Sequence, residues 1–209
     1  MAVVSATQVS RRERSAQIRT DLLAAAERML SQKGFARTTI NDITSEASLG
    51  FGTFYRYFPS KDEIYRELVS EGLDILTDGI DRRCESTQDP RERLRAIVHE
   101  TVQFASERSD LFLLISTGGA VRDAVRRGVG RLSRCLHGWL EPGFADNTFA
   151  PVEPSVAIHA LLGMHTFVLR PWLYDRTTDE RALERSLVRL AEGALLNTEL
   201  SNSRTEKGA

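Results

Sequence analysis

Apolar residues recur at helical spacing along almost the whole chain, and no stretch alternates as a half-buried strand would. Ile18, Leu22, Ala25, Ala26, Met29 and Leu30 make one stripe, the inner face of an amphipathic helix. Gly34 follows where a left-handed backbone suits glycine. Thr39 then caps a second, short helix, with Asp42 three residues on to hold the free N–H groups of its first turn. Ser48, Leu49 and Gly50 break that helix. A third helix of about two turns is predicted over 51–58, because Phe54 and Phe58 stand four apart and share one face. Pro59 stops it, and Ser60 with Glu63 forms a capping box for the next. Further amphipathic segments fall near 60–83, 91–107, 109–116, 120–139, 154–174 and 178–197. Between them lie the breakers Asp89-Pro90, Gly118-Gly119, Pro142-Gly143, Pro151 and Pro154, and Thr177 with Glu180 caps the last helix. The pattern predicts an all-α chain of about nine helices, with a polar, flexible arm over 1–15 and a frayed, disordered tail over 198–209.

Composition changes this picture in one place. A chain of 209 residues with 41% hydrophobic and 27% charged residues has the means for a sizeable core. Its net charge of −1 hides an asymmetry: residues 1–61 hold nine basic against five acidic side chains, so the remainder is acidic. A basic first third on an acidic body points to an anionic partner at one end. Cys84 and Cys135 lack ligand-like spacing and read as ordinary thiols. No apolar run stands out as a membrane span, and the first residues lack the apolar core of a signal peptide, so the expected setting is cytoplasmic.

Aromatics concentrate where the charge is positive. SLGFGTFYRYFPSKDEIY, residues 48–65, holds six of the chain's aromatic residues. On a helix over 51–58, Phe54 and Phe58 turn inward, while Thr53, Tyr55, Arg56 and Tyr57 supply hydroxyls and a guanidinium to the other side. A short helix, a glycine-containing turn and a second helix have the form of a helix-turn-helix. Hydroxyls suit phosphate oxygens, Arg56 suits a phosphate or a guanine edge, and Gly52 allows backbone to approach a groove. Lys61 lies at the next helix N-terminus, which also favours phosphate.

KGFARTTINDITSEASLGFGTFYRYFPSKDEIYRELV resembles the DNA-binding domain of the tetracycline-repressor (TetR) family of bacterial transcription regulators. The resemblance rests on Lys33-Gly34-Phe35, Thr38-Thr39, Ile43, Ala47 and the G-T-F-Y-x-Y-F-x-S-K run at 52–61. It implies a helix-turn-helix DNA-binding domain over 16–76 with its motif at 39–58, and a helical ligand-binding and dimerisation domain over 77–197. It further implies that Thr39 contacts phosphate and Asn41 reaches base edges. Phe51, Gly52, Thr53, Tyr55 and Arg56 would face the major groove, and Tyr57 and Lys61 would grip phosphates. Family members often carry serine at the cap where Gly50 stands, followed by a polar residue where Phe51 stands. Phe51 can touch a thymine methyl or tuck inward, and the residues leave both open.

In the body, Val156, Ala160, Gly163 and Phe167 form one stripe and Leu183, Leu187, Leu190 and Ala194 another, the expected four-helix homodimer interface. Phe104, Phe112, Ile115, Trp139, Met164, His165 and Trp172 are the candidate lining of an apolar ligand pocket. The four histidines make no metal-ligand pattern, and Ser116-Thr117-Gly118-Gly119 lacks the lysine and spacing of a phosphate loop, so neither cofactor, metal nor enzyme is expected. The expected protein is a homodimeric repressor that leaves a pseudo-palindromic operator on binding a small, largely apolar effector. An activator, or a regulator without an effector, is the competing reading.

Overall fold

The computed structural model describes residues 6–197, with side chains from Arg12 onward except that of Ala120. Nine α-helices follow one another among the described residues: α1 (Ala6–Arg37), α2 (Ile40–Glu46), α3 (Phe51–Phe54), α4 (Lys61–Glu85), α5 (Pro90–Glu107), α6 (Ser109–Thr117), α7 (Arg122–Ala145), α8 (Pro154–Asp175) and α9 (Glu180–Leu195). No strand occurs among them; Phe149 and Leu196 form an isolated bridge. The all-α expectation holds. The expected tail and residues 1–5 of the expected arm lie outside the described residues. Residues 6–15, expected in the arm, continue α1 as helix, since no glycine or proline interrupts them.

Gly34 breaks α1 with φ 74 and ψ 162, a conformation that side-chain-bearing residues avoid. The Thr38 hydroxyl sits 3.1 Å from the Met29 carbonyl and 2.9 Å from that of Gly34, which folds the chain back under α1. α3 is shorter than expected. Beyond Phe54 the chain continues in turns, with Arg56 N–H donating to Thr53 and Tyr57 N–H to Phe54 in tighter i to i+3 bonds. Pro59 explains the shortening, because it pushes the residue before it out of helical geometry. Phe58 N–H still bonds the Phe54 carbonyl at 2.9 Å, so both rings reach the core, fully buried and 5.8 Å apart.

α4 runs from this N-terminal unit into the body. Its first turns bury Ile64, Tyr65 and Leu68; its later turns bury Leu73, Leu76 and Ile80. α7 crosses α4 closely at Gly128, where an added Cβ would fall 2.3 Å from a Leu73 methyl. α7 continues past the expected break at Pro142 and reaches Ala145. Near a helix end the proline forfeits a single hydrogen bond, while Gly143 admits the Phe149 ring where a Cβ would clash at 2.3 Å. α8 likewise carries Pro171 without ending there. The cap of α9 is Asp179 and not Thr177, its carboxylate accepting from the Ala182 N–H at 3.1 Å.

α8 keeps close to its expected span and is apolar on two sides. By length and composition alone it could cross a membrane, with 22 residues and a mean hydropathy of 1.2 over its most apolar window. One face, Ala157, Ile158, Leu161, His165, Leu169 and Trp172, is buried in the body. A second stripe is exposed: Val156 at 62% and Phe167 at 81%, with Ala160 between them. A helix apolar on two sides needs cover on both.

Candidate DNA-binding interface

The N-terminal unit is held from within and leaves its polar groups outside. Thr39 caps α2 in both directions: its hydroxyl accepts from the Asp42 N–H at 3.2 Å, and Asp42 Oδ2 accepts from the Thr39 N–H at 2.9 Å. Lys33 Nζ reaches the other Asp42 oxygen at 2.6 Å. That ammonium, followed by the two Thr39 bonds, pulls the Asp42 pKa down to about 2. The Arg28 guanidinium meets Glu46 at 2.6 Å in the same way. Both carboxylates of α2 are thus matched by α1, and repulsion of an approaching phosphate is reduced.

Around this frame Thr39, Asn41, Phe51, Gly52, Tyr55 and Arg56 are exposed, and Thr53 and Tyr57 are half-buried. Phe51 points outward, 52% exposed, edge-on to Tyr55 at 5.5 Å; it does not tuck inward. Tyr55 in turn packs edge-on against buried Phe54 at 5.6 Å, which braces an otherwise exposed ring. Nothing lies within 4 Å of the Cβ position of Gly52, so the backbone is open to approach. Gly50 caps α3 without a side-chain bond.

Lys61 stands apart. Its ammonium donates to the carbonyls of Phe35 and Thr38, 2.9 Å from each, and lies 4.5 Å from the centre of the Phe35 ring. It clamps α4 to the turn before α2, and at most part of its donor capacity remains for a phosphate. Tyr65, fully buried, adds a second tie by donating to the Ala26 carbonyl at 3.0 Å. The sequence reading missed Tyr65 and Thr38 as fasteners, since their partners lie far back in the chain or in an irregular turn.

The residues named for the body divide differently from expectation. Leu183 and Leu187 turn into the chain's own core, whereas Leu190, 56% exposed, and Ala194 face out; on α8 the Val156–Phe167 stripe is also outward, and Gly163 at its centre has open space at its Cβ. The inward stripe of α9 runs through Leu183, Leu187, Ala191 and Leu195, and because residues four apart drift slowly around the helix, Leu190 falls on the outer flank of that stripe. Of the seven pocket candidates, Phe104, Phe112, His165 and Trp172 are buried, and Ile115, Trp139 and Met164 half-buried. All but His165 belong to the hydrophobic core or pack against it, and Phe104 also borders a surface groove of about 180 Å³. Their polar atoms are engaged inside: Trp139 Nε1 with Asp81 at 2.5 Å and Trp172 Nε1 with the Thr178 carbonyl at 2.7 Å. His165 is the exception: its Nε2 is buried and meets no partner among the described residues. No group of three metal-ligating side chains occurs among the described residues.

A three-helix unit with a capped short helix, an exposed aromatic and guanidinium face, and a long helix leading into an all-helical body define a helix-turn-helix DNA-binding protein. Residues 22–68 match the family described as bacterial regulatory proteins, tetR family. The regulator HbdR of Aromatoleum sp. (strain CIB) is 26% identical over 181 residues, which cover 83% of this chain and 79% of HbdR. The fatty acid degradation regulator FadR of Bacillus halodurans superposes with a TM-score of 0.76 at 19% identity, over 83% of this chain and 93% of that one. FadR of Bacillus subtilis, solved in complex with stearoyl-CoA, superposes with a TM-score of 0.74 at 17% identity, over 82% and 96%. Residues 22–68 thus carry a TetR-family DNA-binding region, and over most of its length the chain is similar to helix-turn-helix transcriptional regulators.

Proposed function

We propose that the protein is a cytoplasmic, nucleoid-associated homodimeric repressor that binds a pseudo-palindromic operator and leaves it when a small, largely apolar ligand enters the helical body; it is no enzyme. The observation that carries this reading is the pairing of two outward faces. Thr39, Asn41, Phe51, Gly52, Thr53, Tyr55, Arg56 and Tyr57 meet DNA from one end. At the other, the exposed apolar stripe of α8, with Leu190 and Ala194 of α9, meets a second copy. A two-fold dimer sets two readers in successive major grooves, about one helical turn apart. A partner helix also supplies the cover that the second side of α8 lacks.

Signal passes through α4 in this reading. Lys61 and Tyr65 fix its start to the reader, while its later turns pack on α5 and α7. A second link joins the two parts at Arg108, whose guanidinium meets Glu27 of α1 at 2.7 Å. Any ligand that shifts the body therefore shifts the reader, with a coupling of about 1–3 kcal/mol. The neighbour solved with stearoyl-CoA supports an effector with a long apolar chain, the part that a helical body can cover. Selection of duplexes from a random pool, followed by anisotropy titration at several salt concentrations, tests the reading. It predicts a two-fold symmetric consensus, and a protein that enriched no sequence would refute it.

A further inference from the structure

His165 lies on the buried face of α8, one turn from Leu161 and from Leu169, and is 3% exposed. Its Nδ1 is 2.8 Å from the Leu161 carbonyl oxygen. A carbonyl only accepts, so the single proton of the neutral imidazole sits on Nδ1. Nε2 is then a bare acceptor, and among the described residues it is the buried side-chain polar atom that meets no partner.

Among the described residues the body buries two other polar side chains, Thr101 and Arg93, and both are bonded elsewhere. Thr101 gives its hydroxyl proton to the Ile97 carbonyl at 2.8 Å. Arg93 directs its guanidinium to the Thr87 carbonyl, to Gln88 and to the Trp139 carbonyl. Burial also keeps the imidazole neutral, with its pKa lowered to about 4. A leucine or methionine at this position would fill the space with no acceptor left unmatched, so the imidazole costs stability as it stands. The same face of α8 carries Ile158, Leu161, Leu169 and Trp172, an apolar setting for a carbon skeleton.

We propose that His165 Nε2 is the polar anchor of the effector site, and that the effector is a neutral, largely apolar molecule presenting a hydroxyl or amide N–H to it. This rests on the ligand-responsive reading above and narrows it. A carboxylate or thioester offers this atom only lone pairs, and two acceptors repel. Because the surrounding side chains pack as core, the ligand enters by parting α8 from its neighbours α5, α6 and α7.

The test compares matched probes on the full chain: straight-chain alcohols from hexanol to dodecanol against their methyl ethers, by calorimetry and by release from the selected operator. The ether keeps the oxygen and loses the donor. The alcohol is expected to bind about tenfold tighter, the worth of one hydrogen bond to a buried acceptor. That preference disappears in His165→Phe and His165→Leu. In wild-type protein labelled with ¹⁵N-histidine, the Nε2 resonance moves to its hydrogen-bonded position with alcohol and stays with ether, a readout that needs no variant. Equal affinities, with both probes releasing the operator, overturn the anchor and leave a ligand-responsive regulator standing. Binding of neither class, with operator binding intact, overturns the anchor too. So does an Nε2 resonance already hydrogen-bonded in the free protein and unmoved by alcohol, which assigns His165 to a resident water.

Discussion

The ammonium of Lys61 lies 2.9 Å from the Thr38 carbonyl, and this bond fastens the first turn of α4 to the turn that enters α2. With its second bond, to Phe35, it makes Lys61 a structural clamp at a position that sequence alone assigns to phosphate. Lys61→Ala is expected to lower stability by about 2–3 kcal/mol, the loss of charge-assisted bonds to carbonyls that then stay unmatched. Urea denaturation measures it. An unchanged midpoint together with weaker DNA binding would restore the phosphate role as the main one.

The exposed groups separate by what they can read. Asn41→Ala and Arg56→Ala are expected to change which operator is preferred, by about 1–3 kcal/mol for each lost base contact. Tyr57→Phe removes one hydroxyl and is expected to weaken all duplexes alike. Competition titrations with single-base operator variants distinguish the two. A uniform loss for Arg56→Ala, with a salt slope smaller by about 0.9, would make it a phosphate contact instead.

Phe54 is fully buried beside Phe58, and Phe54→Ala is expected to cost about 3–5 kcal/mol through the cavity it leaves. Thermal unfolding followed by circular dichroism reports it. A melting temperature equal to wild type would mean that the ring does not hold α3 down.

Local chemistry was legible in the sequence, and long-range chemistry was not. The Thr39–Asp42 capping box and the inward pair Phe54 and Phe58 are read within one helical turn, where spacing alone decides the neighbours. The partners of Lys61 lie 23 and 26 residues back, across a fold that periodicity does not describe. On α9, Leu187 and Leu190 stand three residues apart, less than one turn, yet one is buried and the other 56% exposed. α8 is apolar on two sides, so its pattern names no unique face. The large apolar residues of the body read equally as core or as cavity lining, because size and apolarity are shared by both.

Phe167 is 81% exposed at the C-terminal end of the outward stripe of α8. If this stripe joins two copies as proposed, Phe167→Glu is expected to leave a monomer, because it places an unpaired charge in an apolar contact. Operator affinity should fall by orders of magnitude as the two readers separate, while the folded protomer keeps its helical content. Light scattering coupled to gel filtration settles the mass. A variant that stayed dimeric would move the interface elsewhere.

The burial of His165 also makes stability depend on pH in a known direction. The imidazole binds a proton near pH 6.5 when exposed and near pH 4 in the folded state, because burial disfavours its charged form. Between these values the unfolded chain holds more protons than the folded one, so stability falls as pH falls. The histidine's contribution is fully present above about 6.5 and is lost as pH drops toward about 4, a change of about 3 kcal/mol. Carboxylates titrate in part of the same window, so the decisive measurement is a difference. His165→Leu is expected to remove the portion between about 6.5 and 4 and to leave the carboxylate portion in place. Urea midpoints taken in half-unit steps of pH for the two proteins give that difference directly. Parallel profiles would mean that water reaches the imidazole, and that its environment is wetter than its burial indicates.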